Sequence, residues 1–127
     1  MTTRRVTREE CTITVEALEE EYAPESSVYA YADGVVASFR EMINEYGLWG
    51  WCNVKVTVTW TYTNPYDMPS TLTGEWYLGE CSYKSEDDFR ASSGYFDDMV
   101  DDALDDLNDH ILHLLANASC IEKALSE

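Results

Sequence analysis

Between Asp97 and Asp109 the chain reads DDMVDDALDDLND, seven aspartates in thirteen residues, and no lysine or arginine lies between Arg90 and Lys123 to answer them. Carboxylates at this density can ligate a divalent cation, move protons, or attract a cationic surface, and spacing decides among the three. An ion site needs oxygens that converge. The chain has no D-x-[DN]-x-[DN]-G loop, and carboxylates along a convex helix cannot wrap one ion. His110 and His113, each with an aspartate one turn before it, resemble half a zinc site, but no further ligand follows at a set spacing, and a structural role at a helix end is the simpler reading. Proton transfer or nucleophilic chemistry finds no G-x-S-x-G, no glycine-rich phosphate loop and no cysteine beside a histidine. Glu75 and Glu80 bracket WYLG as a glycosidase pair would, yet glutamates at outward strand positions are ordinarily solvated. Neither metal, cofactor nor catalysis is expected.

Attraction of a cationic surface is left. At 100° per residue, with Val100 as origin, Phe96, Ala103, Leu104, Leu107, Ile111, Leu114 and Ala118 form the apolar stripe of a helix that packs on a sheet. Asp97, Asp101, Asp105 and Asp109 trace one line on the opposite half, and Asp98, Asp102 and Asp106 a second beside it. All seven are expected on one solvent face. The arrangement opposes helix formation. Like charges three or four apart cost about 0.2–0.5 kcal/mol per pair, so the ladder costs its helix about 2–4 kcal/mol before screening. A face serving solubility alone would mix glutamate with lysine.

Four helical residues rise about 6 Å, comparable with the step between successive phosphates on a strand, roughly 6 to 7 Å. Two rows of short, stiff carboxylates therefore suit a groove whose lysines and arginines are placed for a nucleic-acid backbone. Glu86, Asp87 and Asp88 lie just upstream and extend the expected partner-binding surface. Glu16, Glu19, Glu20, Glu21 and Glu25 make a second patch, and spacing does not say whether it joins the first.

Over the whole chain, 25 acidic residues against 8 basic ones give a formal net charge of -17, which disfavours nucleic acid and anionic membrane as direct partners and favours a basic protein. An apolar content of 45% and an aromatic content of 13% belong to a folded protein, and 127 residues suit one domain. In charge, size and the Asp97–Asp109 ladder the chain resembles, as a class, the small acidic DNA-mimic inhibitors of phages and plasmids that block restriction enzymes or CRISPR effector complexes. The resemblance implies a non-catalytic inhibitor bound to the nucleic-acid-binding surface of a host defence complex, and no particular topology. Two alternatives stay open: an immunity protein or antitoxin that neutralises a basic nuclease toxin, and a divalent-metal enzyme that uses the aspartate cluster.

The elements that hold this surface are legible in part. CTITVEA alternates as a strand over about 10–18, and WCNVKVTVTWTYT alternates through Cys52, Val54, Val56, Val58, Trp60 and Tyr62. TLTGEWYLGECSY is a third strand with Leu72, Trp76 and Leu78 inward, and its glycines suggest a bulge or bend. Apolar residues at three and four predict a first helix over Val28–Tyr46, capped by Ser26 or Ser27, weakened by Gly34 and ended by Gly47. Ser85 caps a short helix before the long one. The order β-α-β-β-α-α implies an α+β fold, a three-stranded antiparallel sheet with two or three helices on one face.

The four cysteines read as reduced core thiols, and Trp49, Trp51, Tyr62 and Tyr66 as packing residues or, alternatively, a contact surface for a protein. Leu112 and Leu115 fall toward the acidic side, so the last helix bends or ends near 110 or its tail joins a homodimer. The N-terminus MTTRRVTREECTITVEAL has no apolar run after its basic residues, and no stretch has the length of a membrane span, so a cytoplasmic setting is expected.

Overall fold

The computed structural model describes residues 4–32 and 34–126. β1 (Cys11–Leu18), β2 (Cys52–Thr63) and β3 (Pro69–Cys81) form one antiparallel sheet in the order β1-β2-β3. α1 (Val35–Tyr46) lies between β1 and β2, while α2 (Glu86–Ser92) and α3 (Phe96–Ser126) follow β3. The fold is the expected α+β arrangement.

Alternation in β2 gives the sheet its packed face. Cys52, Val54, Val56 and Val58 are fully buried, and the register brings Ala17, Val15 and Ile13 of β1 opposite Val54, Val56 and Val58. β-branched side chains suit this pleated surface, and burying each contributes about 1.5–3 kcal/mol. Phe89 of α2 and Met99, Val100, Ala103 and Leu107 of α3 close the core from above. Trp76 was expected inward. It shares the face of its register partner Val56 but is 46% exposed.

Gly74 sets how closely α3 approaches β3. A Cβ built there would lie 2.0 Å from the Ala103 carbonyl oxygen and 2.5 Å from the Leu107 nitrogen, so helix backbone rests directly on strand backbone. The bulge lies at Gly79–Glu80, where Val54 pairs Leu78 but Cys52 pairs Cys81, leaving one extra residue on β3. Glu80 takes the left-handed conformation, φ 54°, and its N–H donates to Glu20.

The first helix is shorter than its periodicity predicts. Pro24–Ser26 forms a single 3-10 turn, and Ser27 accepts from the Tyr29 N–H while its hydroxyl donates to the Pro24 carbonyl. These local bonds compete with helix formation, and turns occupy 28–32. Asp33, within the predicted helix, lies outside the described residues. Gly34 begins α1 in the left-handed region, φ 77°, rather than weakening its middle, and Gly47 ends it as expected. Ser85 caps α2 by accepting from the Asp88 N–H.

α3 is unbroken from Phe96 to Ser126, so the helix does not end near 110. Its apolar stripe contains one polar residue, Asn108, which is 4% exposed. The Asn108 side chain accepts from the Val6 N–H (2.9 Å) and donates to the carbonyls of Val6 (3.1 Å) and Leu104 (3.0 Å). This clamp seats Val6 in the core and lays the arm before β1 along α3. Asn108→Ala is expected to lower stability by about 2–3 kcal/mol, because both Val6 backbone groups lose their buried partner, and urea denaturation of the two proteins measures it.

Cys52 and Cys81 are core thiols, pushed up by burial to about 12 and about 11 respectively. Cys11 is partly buried, whereas Cys120 corrects the core assignment, for it is exposed on α3. Trp49 and Trp51 are packing residues: Trp51 is buried, packs at a tilt on Phe39 with ring centroids 4.7 Å apart and donates its indole N–H to the Tyr22 carbonyl, and Trp49 lies 6.3 Å from the Phe89 ring. Tyr66, at the hairpin tip, is exposed. Among the described residues no helix is long and apolar enough to cross a membrane.

Candidate functional site

The first half of α3 is held at both margins, which fixes where its carboxylates stand. The Asn108 clamp and the arm hold one margin. At the other, β3 is an edge strand whose outward backbone groups need partners. The Glu75 N–H donates to Asp106 Oδ2 (3.0 Å), and His110 Nδ1 lies 3.0 Å from the Thr73 carbonyl oxygen. Because a carbonyl only accepts, Nδ1 carries the proton, and Nε2 faces Asp106 Oδ1 at 3.5 Å.

The seven aspartates therefore do not form a uniform face. Asp97, Asp101, Asp105, Asp109 and Asp98 are exposed, while Asp102 and Asp106 are half-buried at the sheet margin, and Asp106 serves the β3 edge. The expectation that all seven face solvent holds for five. Helix rotation explains the exception: the second row turns toward β3 as it climbs.

Cations do answer the ladder, from a part of the chain that local spacing does not reach. Arg8 pairs with Asp97 (2.9 Å) and Arg5 with Asp105 (2.6 Å), both delivered by the arm that Val6 and Asn108 anchor. Both pairs are solvent-exposed and worth about 0–1 kcal/mol each, so they soften the repulsion without neutralising the face. On the outer row, paired and unpaired carboxylates alternate. Asp101 and Asp109 have no cation within reach among the described residues and stand eight residues apart, about 12 Å along the helix. The unpaired outer repeat is thus two phosphate steps rather than one. Asp98, one turn before Asp102 on the second row, and the half-buried Asp102 are also without an ion pair among the described residues.

Two of the three upstream acids are engaged within the chain. Glu86 pairs with Arg90 (3.0 Å), whose guanidinium lies over the Phe96 ring. Asp88 accepts from the Lys84 N–H and the Ser92 hydroxyl, and the first of these holds its carboxyl below the usual range. Asp87 alone of the three is exposed without such a partner.

The second patch approaches the first across the outer face of the sheet. Lys55 on β2 lies 4.0 Å from Glu16 on β1 and 3.3 Å from Glu75 on β3, and the Glu75 backbone meets Asp106. Glu75 is held below the usual carboxylate range by the Tyr77 hydroxyl and by Lys55, so it is engaged rather than merely solvated. Glu25 is paired with Arg40, and Glu20 with the Glu80 N–H. A lysine thus interrupts the path between the two acidic regions.

A groove of about 600 Å³ runs beside the ladder, lined by Thr71, Leu72, Thr73, Glu75, Asp106, His110, His113 and Leu114. His113 Nδ1 lies 2.8 Å from the Asp109 carbonyl oxygen of its own helix. Among the described residues, no three His, Cys, Asp or Glu side chains converge where they would hold one metal ion. The residues missed by sequence spacing are Arg5, Arg8 and Asn108. Their signal was present in RRVTR, a basic run split by a valine and a threonine, and in an asparagine inside an otherwise apolar stripe.

Compared with protein-family models, with curated proteins and with solved structures, the chain gives no match.

Proposed function

We propose that the protein is a non-catalytic inhibitor that occupies the nucleic-acid-binding surface of a basic protein or complex, its α3 carboxylates standing where backbone phosphates would lie. The supporting observation is the exposed set Asp98, Asp101 and Asp109, without a cationic partner among the described residues, on a helix fixed at both margins in a chain of net charge -17. Preorganisation matters because flexible acids would lose side-chain freedom on binding, whereas short aspartates on a packed helix lose little. A field of this sign also speeds encounter with a cationic groove and repels the nucleic acid that competes for it. A host defence complex, a CRISPR effector or a restriction enzyme, is the target class with such a groove and a reason to be blocked. Capture from host-cell extract on the immobilised protein should retain a basic nucleic-acid-binding protein, released by moderate salt. Retention of a single cognate nuclease toxin would move the reading to immunity, and retention only of proteins that handle no nucleic acid would end it.

A further inference from the structure

α3 extends about 46 Å, but sheet and core cover only its first half. Beyond Asp109 its charge almost vanishes: residues 110–126 hold only Glu122 and Lys123 besides two histidines, in a chain of net charge -17. The apolar stripe nevertheless continues. Ile111, Leu114, Ala118, Ile121 and Leu125 keep the alternating three- and four-residue step that packs one helix against another, and Leu114, Ile121 and Leu125 are 51%, 60% and 83% exposed. At the root of this tail a largely apolar groove of about 240 Å³ opens between Ile111, Leu114 and Leu115 and a shelf of Trp60, Tyr62 and Leu72, with the two rings stacked at 5.0 Å.

We propose that this tail is the interface of a homodimer in which the two α3 helices pair antiparallel, the Ile121–Leu125 end of each copy entering the Trp60–Tyr62 groove of the other. Two observations select a second copy, and a third sets its orientation. The acidic face of α3 would repel its copy, whereas the near-neutral tail lets two copies approach without repulsion. Groove and stripe are continuous on one chain, so a two-fold axis satisfies both at once, as an isologous interface requires. Parallel pairing would set two acidic bodies side by side and leave each groove unfilled; antiparallel pairing places the bodies at opposite ends. The dimer does not rest on the inhibitor reading, since none of its contacts involves the aspartate face.

Sedimentation equilibrium of the full chain in reducing buffer, so that exposed Cys120 forms no disulfide, should give twice the 14.5 kDa chain mass. Ile121→Asp should weaken the dimer at least a hundredfold, and because Ile121 is exposed in the single chain the variant should fold. Ala116→Asp adds the same charge on the outer side of the tail and should leave the dimer intact. A monomer at every concentration, or equal effects of the two variants, overturns the proposal. Orientation is read in a Cys120→Ser background: Leu114→Cys chains mixed with Ile121→Cys chains should form the mixed disulfide, and preferential self-pairing overturns the antiparallel arrangement.

Discussion

Changing Asp98, Asp101 and Asp109 together to asparagine is expected to weaken target binding by about a hundredfold to a thousandfold while making the protein more stable. Each lost charge-assisted hydrogen bond accounts for about 1.5–3 kcal/mol of binding in the gross, and even partial use of three exceeds 2.7 kcal/mol, a hundredfold. Stability moves the other way, because the substitutions remove six like-charge contacts at three and four residues, each worth about 0.2–0.5 kcal/mol, which outweighs the roughly 0.3–1 kcal/mol that the Asp98 charge contributes in the first turn of α3. A gain of about 1 kcal/mol raises the midpoint of thermal unfolding by about 3–5 °C at low ionic strength, less as salt screens the repulsion. The opposed signs separate function from folding. A damaged protein would lose binding and stability together. Unchanged binding in the triple variant would show that the partner docks elsewhere. Asp97 and Asp105 are left in place because Arg8 and Arg5 hold them, and changing them would release arginines that themselves alter the field.

Gly74→Ala is expected to cost about 3 kcal/mol or more, a large share of the 5–15 kcal/mol that holds a domain of this size together. The added methyl would meet the Ala103 carbonyl oxygen at 2.0 Å and Leu107 Cβ at 2.8 Å, and neither backbone yields without lifting α3 from the sheet. Lifting the helix also separates Asp106 and His110 from the β3 edge, so binding should fall with stability, unlike the asparagine variant. Gly79→Ala is the matched control, since its methyl meets only the end of the flexible Glu20 side chain at 3.2 Å. Urea midpoints of the two variants measure the difference. A Gly74→Ala protein within 1 kcal/mol of the parent would mean that α3 sits further from β3 than described.

The two substitutions also mark how far local sequence reached. Alternation in β2 is complete enough that its buried face, and through it the sheet, follows from residue order alone, because side-chain direction has period two whatever the partner strand. The ladder was legible for the same kind of reason, helical period. What periodicity cannot carry is contact between distant segments. Arg5 meets Asp105 across a separation of 100 residues and Arg8 meets Asp97 across 89, so which carboxylates stay unpaired depends on where Asn108 pins the arm. Gly74 read as a sheet irregularity, although its role is to admit another backbone. In α1 the apolar spacing from Val28 was real, but Ser27 and a left-handed Gly34 imposed turns that spacing does not register.

Whether the α3 carboxylates stand in for phosphates is decided by equilibrium competition between the protein and duplex DNA for the captured target at about 0.15 M salt. Mutual exclusion is expected, with each ligand displacing the other in proportion to its affinity and the protein's own affinity falling steeply as salt rises. A stable ternary complex, target holding DNA and this protein at once with neither affinity reduced, would contradict it.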